Sequence, residues 1–255
     1  MKKIYLSILA FAAFAFGANA QIIFSDSFEN WNTAVTMPNN WGGTQTTIAT
    51  ANISRVANGG SLNSNGSYAV KLVNGTTSRK QFSSLPFHVD SGSIYKITYT
   101  VMGKGSIMPG LWTGRGSFPI TYSYQTINNP PNWYYYSDVF MADTTSNVAQ
   151  LVLCIKSTDA ASGDLRIDSV KMEKINPITV PIYDIQYSSS APNYPSPKVN
   201  LVVKTSGIVT GKSSSGYFLQ QNQVAGPWEG IYIKDYNYSS SVNIGDRITV
   251  VGKVE

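Results

Sequence analysis

Short runs of alternating or β-branched residues, each closed by a cluster of Gly, Asn, Ser or Pro, fill most of the chain and restrict it to an all-β fold. Alternation at every second residue gives each face of a strand its own set of side chains. In residues 93–101, Tyr95, Ile97, Tyr99 and Val101 share one face, and Lys96 and Thr98 take the other. Further strands are expected at 68–73, 120–126, 134–141, 148–155 and 165–172. No amphipathic helical period follows the first twenty residues. Around 176–197 the texture changes, with Pro177, Pro181, Pro192, Pro195, Pro197 and three consecutive serines at 188–190. Proline removes ladder donors, so this stretch is expected to be a linker with a strand near Ile182–Ile185. A first domain over 21–175 and a second over 198–255 follow, the second with strands at 199–210, 216–221, 230–235 and 246–254.

The first twenty residues read as a secretion leader. Met1-Lys2-Lys3 is a basic start, residues 4–16 are apolar apart from Ser7, and Ala18-Asn19-Ala20 is a small-x-small cleavage site. The stretch is too short for a membrane span, and no later run approaches one. The expectation is a secreted chain, extracellular or at the cell surface, with no membrane insertion. Removing Lys2 and Lys3 lowers the formal charge from +5 to +3, a weak footprint for a polyanionic partner. One cysteine, Cys154, excludes a disulfide framework and multi-thiolate zinc sites. One histidine, His88, excludes multi-histidine metal centres. Neither a phosphate-binding glycine loop nor a serine nucleophile elbow is present.

Several blocks of the first domain resemble secreted bacterial jelly-roll carbohydrate-binding modules of the galactose-binding-like type. They are Ser27-Phe28-Glu29-Asn30-Trp31, Met37-Pro38-Asn39-Asn40-Trp41, residues 66–72, the strand from Trp133 to Phe140 and residues 165–170. The resemblance implies a two-sheet sandwich that binds a polysaccharide and performs no chemistry. A pyranose offers an apolar C–H face to a flat ring, so exposed aromatics are the candidate contacts. Trp112, in a Gly-rich segment with the look of a loop, Tyr122 and Tyr124 on one strand face, and Trp133 after Pro130-Pro131 are those candidates. The alternative for each is burial in the core; Trp31, Trp41, Tyr136 and Phe140 are assigned to the core or its rim. The resemblance also implies a structural Ca2+ held by Glu29 and Asp168 with backbone carbonyls; the alternative is two solvated acids. Nothing around Asp164 and Asp168 supports a raised pKa, so glycoside hydrolysis is rejected.

The second domain resembles an OB-fold of the kind found in extracellular nucleases and in lamin-tail or sorting-domain proteins. The matching blocks are Gly207-Ile208-Val209-Thr210, residues 216–220, Gly230-Ile231-Tyr232-Ile233 and residues 245–254. An OB barrel needs five strands, and four are legible before Glu255, so an incomplete barrel in a fragment of a longer protein is expected. Outward residues by alternation are Phe218 or Tyr217, with Tyr232 and Lys234, and Trp228 in the intervening loop. These could stack on bases or sugars, but the near-neutral charge argues against nucleic acid and for a spacer. The leading expectation is a non-catalytic glycan-binding pair of domains. The alternatives are the accessory region of an extracellular nuclease or other hydrolase, and a surface adhesin.

Overall fold

The computed structural model describes residues 20–58, 66–116, 120–121, 124–128, 130–159, 163–189, 194–222, 226–235 and 239–255. Residues 1–19 of the expected leader, and Tyr122, lie outside the described residues.

The first unit contains β1 (Gln21–Asp26), β2 (Ile53–Ala57), β3 (Tyr68–Val73), β4 (Lys80–Ser83), β5 (Phe87–Val89) and β6 (Ile94–Trp112). It continues through β7 (Ile120–Thr121), β8 (Gln125–Asn128), β9 (Tyr134–Met141), β10 (Ser146–Lys156) and β11 (Asp164–Ile175). All pairings among these strands are antiparallel. The organising element is β6, 19 residues long. Its first half lies between β11 and β9, whereas its second half lies between β10 and the short strands β8 and β7. One strand therefore belongs to two sheets. The first sheet runs β2-β3-β11-β6-β9 and the second β4-β10-β6-β8, with β1 beside β11 and β5 beside β10.

These sheets fold over one core as an all-β jelly-roll sandwich. Tyr95, Ile97, Tyr99, Ile167 and Met172 enter it from the first sheet, and Ile107, Leu111, Leu151, Leu153 and Ile155 from the second. Phe28, Trp41 and Phe82 close it. Trp41 stacks on Phe82 with ring centroids 4.5 Å apart and donates its indole N–H to Asp26 Oδ2 at 3.1 Å. The inward face expected for residues 95–101 is the observed one, because alternation at period two leaves no other way to bury four large side chains.

The passage of β6 between sheets falls at Gly103 and Gly105, with φ of +127° and +154°. A Cβ on Gly103 would overlap the backbone carbonyl oxygen of Asp164. Pro109 lies where the outer edge of β6 passes from β8 to β7, a place where a strand tolerates a missing donor. The single strand expected at 120–126 is instead the two separate strands β7 and β8.

The second unit comprises β12 (Ile178–Thr179), α1 (Ile182–Gln186), β13 (Val202–Ser213), β14 (Gly216–Gln220), β15 (Gly230–Lys234) and β16 (Arg247–Lys253). β13 pairs antiparallel with β14 through its second half and with β16 through its first half, and parallel with β12. β15 extends the sheet from β14. Two small clusters form its interior: Val180, Ile185, Val203 and Val254, then Ile182, Val209, Tyr217 and Leu219. The segment read as a linker with a strand at 182–185 differs from that expectation. Residues 178–179 are a strand and 182–186 one helical turn, both built into the second unit. Pro181 precedes the turn in an extended conformation and offers it no side-chain cap, and Ile182 and Ile185, three apart, are both buried beneath it. Its amide at Tyr183 is satisfied from a distance, by Gln221 Oε1 at 2.8 Å.

Replacing Gly103 with Ala is expected to cost at least about 2 kcal/mol, read as a lower denaturant midpoint, because strain and backbone overlap coincide there. Gly75→Ala, where a Cβ meets nothing within 4 Å, is the control, expected to stay within about 0.5 kcal/mol.

Candidate functional site

Strand β10 buries both its faces, which is unusual in an antiparallel sheet. Leu151, Leu153 and Ile155 enter the sandwich core, whereas Val152 and Cys154 point the other way. Across the ladder Val152 faces Gly110 and Ser83, and Cys154 faces Met108 and Gln81. The outer side of the second sheet is thus an apolar floor of Met108, Val152 and Cys154, against which Trp112 and Tyr124 pack half-buried.

The structure brings these two sequence candidates together. Trp112 is the last residue of β6, not part of a loop, and donates its indole N–H to the Gly116 carbonyl at 3.2 Å. Tyr124 precedes β8, with Lys156 Nζ 4.2 Å from its ring centroid. Its hydroxyl is buried and has no hydrogen-bond partner among the described residues. Burial raises its pKa, with nearby Arg79 opposing.

Amides fix the border of this face. Gln150 donates to Thr44 Oγ1 at 2.7 Å and accepts from the Gln45 amide at 3.1 Å. Gln81 Nε2 lies 4.0 Å from Cys154 Sγ, and Thr46 and Ser83 share a hydroxyl contact of 3.0 Å. Sequence reasoning missed Gln81, Gln150, Met108, Lys156 and Cys154 as one surface. The available signal was the second face of the 148–155 alternation, which carries Gln150, Val152 and Cys154.

Trp133 lies elsewhere: it is buried with Ala69 and Met102, and its indole N–H reaches the Asn58 carbonyl at 2.8 Å. Trp41 and Phe140 lie in the core, with Trp31 and Tyr136 packed at its rim, as expected. His88 is exposed on β5, between Asn147 Oδ1 at 2.6 Å and Asp90 Oδ1 at 2.9 Å. These bonds raise its pKa, the contact with Asn147 most.

On the outer face of the first sheet, Ser25, Asp26, Asn30, Asn40, Tyr135 and Lys171 line a polar cleft of about 680 Å³. Desolvation there raises the Asp26 carboxyl against hydrogen bonds from Phe28, Asn40 and Trp41.

Asp168 lies where β11 changes partner from β3 to β1, and Glu29 reaches the start of β3. Glu29 Oε1 accepts the Ser67 and Tyr68 amides at 2.9 and 2.8 Å. Asp168 is fully buried, and its Oδ1 accepts the Ser169 amide at 2.6 Å. Among the described residues no three His, Cys, Asp or Glu side chains group as a metal site. A cation here would therefore draw on two carboxylates and backbone carbonyls, a hard-oxygen set that suits Ca2+ in kind. Asp164 instead pairs with Lys71 at 2.7 Å.

In the second unit, Phe218 and Tyr232 form an outward cross-strand pair with centroids 5.0 Å apart, and Lys234 follows on the same face. Tyr217 is buried, so Phe218 is the outward member of that pair of alternatives. Hydrogen bonds from Ser213 and Ser215 lower the Tyr232 pKa. Trp228 is exposed in the turn before β15.

Burial pushes the Cys154 thiol up to about 11. A disulfide reagent at pH 8 is expected to leave the native thiol unmodified and to label it fully after unfolding. The unfolded thiol ionises near 9 and the folded one near 11, so this group's contribution to stability falls as pH rises through that interval.

No protein-family model matches the chain, and no curated protein matches it. Among solved structures, it is similar to the CBM22-1 xylan-binding domain from Paenibacillus barcinonensis Xyn10C. That similarity has 14% identity, 62% of this chain and 96% of that one, at a TM-score of 0.40. It is also similar to the C-terminal family 22 carbohydrate-binding module of Clostridium thermocellum Xyn10B, at 12% identity, 60% and 94% coverage and a TM-score of 0.41. Against the enzymatically active domain of bacteriophage CBA120 tailspike protein 4 the identity is 15% and the TM-score 0.41, and the chain spans only 20% of that chain's length. The chemistry of the outer face of the second sheet, rather than these overlaps, bears on function.

Proposed function

We propose that the chain is a secreted, non-catalytic glycan-binding protein whose sandwich holds a neutral polysaccharide on the outer face of its second sheet. The observation that carries this reading is the pair of rings, Trp112 and Tyr124, set over the floor of Met108, Val152 and Cys154 and bordered by fixed amides. A sugar ring stacks its C–H face on such a surface and spends its hydroxyls on amides and hydroxyls at the border. The Tyr124 hydroxyl is buried, so the ring rather than the hydroxyl is what this residue offers a sugar. Soluble xylan, mixed-linkage β-glucan and mannan in affinity gels provide the test. Trp112→Ala is expected to weaken retention at least about tenfold, whereas Tyr124→Phe, which keeps the ring and removes a buried unpaired hydroxyl, is expected to keep retention with no loss of thermal stability. Retention by none of these polymers, or retention indifferent to Trp112→Ala, sinks the reading.

The second unit is read as an OB-like accessory domain. The reading is supported by the long first strand β13, which pairs with β14 through one half and β16 through the other.

A structural Ca2+ at Glu29 and Asp168 belongs to the same proposal, supported by the burial of Asp168 where β11 changes partner. Free Ca2+ at about a hundred times its Kd would add about 2.7 kcal/mol. The melting temperature should therefore fall in chelator and recover with Ca2+, and Asp168→Asn should abolish the response. A melting temperature equal in Ca2+ and chelator refutes the metal.

A further inference from the structure

A separate group of aromatic rings stands on the second unit, away from the Phe218–Tyr232 pair. Tyr183, Tyr187, Tyr194 and Trp228 are 38%, 45%, 48% and 41% exposed. Three segments supply them: α1 and its last turn, the stretch leading into β13, and the connection between β14 and β15. Tyr183 and Tyr187, four residues apart, stack with centroids 5.3 Å apart and planes 9° from parallel. Trp228 meets Tyr187 edge-on at 6.1 Å and 89°, and Tyr194 lies 6.3 Å from Trp228. The rings thus form one contacting cluster, a parallel tyrosine pair met at a right angle by Trp228, with Tyr194 tilted against the indole. Two of them sit on strained backbone, with φ of +67° at Trp228 and +43° at Tyr194. A bulky residue in the left-handed region is costly and is held there only by its surroundings.

The chemistry of the rim selects among ligands. Asp184 and Glu229 are its nearby acids, the latter accepting from Asn222 at 2.9 Å, so a polyanion is disfavoured. The rings touch one another and leave no gap between facing walls, which a cage for a quaternary ammonium requires. A proline-rich peptide offers carbonyl acceptors but few donors. Beside the phenol and indole donors of the rings, the rim presents acceptors that such a peptide leaves unmet: two carboxylates, and the carbonyl oxygen of Gln186, whose amide nitrogen is fixed on the Gly230 carbonyl at 2.7 Å. Fixing Gln221 Oε1 on the Tyr183 amide likewise orients its NH2 as a donor. A ligand with flat apolar faces whose edge groups both donate and accept fits this set.

We propose that Tyr183, Tyr187, Tyr194 and Trp228 form a second glycan-binding site, independent of the sandwich face, that takes a neutral polysaccharide by ring stacking. The test uses the full chain carrying Trp112→Ala and Tyr124→Ala, so that the first site is silent. Retention of this variant in gels of xylan, β-glucan and mannan is measured alone and after adding Trp228→Ala or Tyr187→Ser. The expected result is residual retention by at least one polymer, weakened about tenfold or more by either further change, with unchanged circular dichroism. Two different exposed rings are replaced so that misfolding of one variant does not decide the matter. No retention in the Trp112/Tyr124 variant, or retention indifferent to both further changes, overturns the second site while leaving the first standing. Quenching of Trp228 by decaproline with no response to any of the polysaccharides also overturns it, in favour of a peptide groove. Polymer retention that survives in the Trp112/Tyr124 variant and disappears with Trp228→Ala, when Trp112→Ala alone has no effect, instead removes the sandwich site and supports this one.

Discussion

One strand carried unbroken from one sheet into another sets the geometry of the sandwich. β6 can make that passage because Gly103 lets its backbone lie against the Asp164 carbonyl, closer than any side chain permits. The same face of β6 meets the core on both sides of the bend, with Tyr95, Ile97, Tyr99 and Val101 before it and Ile107 and Leu111 after it, and the pairing with β10 leaves Val152 and Cys154 turned outward. Because β10 is apolar on both faces, the second sheet has a greasy outer surface that must be covered. β6, which contributes Met108 to that surface, also ends in Trp112, part of the cover. The candidate binding face is therefore a consequence of how the sandwich closes.

Much of the strand pattern was legible, because period-two alternation is a strong signal where one face is buried. Residues 95–101 and the 148–155 run fell where expected. The reach of β6 is not legible: the expected strand ends at Val101, and the glycines and proline that follow are what the bend and the edge exchange require. Trp112, expected in a loop, accordingly closes a strand. The turn at 182–186 was hidden for a different reason. Its capping contact comes from Gln221, 38 residues away, and a five-residue helix offers too short a period to detect. The ring group around Trp228 escaped for the same reason, since its members are scattered between positions 183 and 228.

Charge and cysteine content shape how the chain presents itself. With few ionic groups, its polar surfaces are built from amides and hydroxyls, which hydrogen-bond in a directional way and respond little to salt. Cys154 behaves as a small hydrophobe in a floor where a larger residue would lift the rings above it.

β11 ends at Ile175 and β12 begins at Ile178, so only Asn176 and Pro177 join the two units. A joint of two residues, one of them proline, has almost no slack. Its ends cannot sample the range that a flexible tether of twenty residues would. For a polymer that touches both units, the second contact is then made at an effective concentration set by rigid geometry. A chain segment whose repeat matches the span is held far more tightly than the separate contacts suggest, and one that does not match gains nothing. For such a polymer, two residues of backbone would act as a length filter.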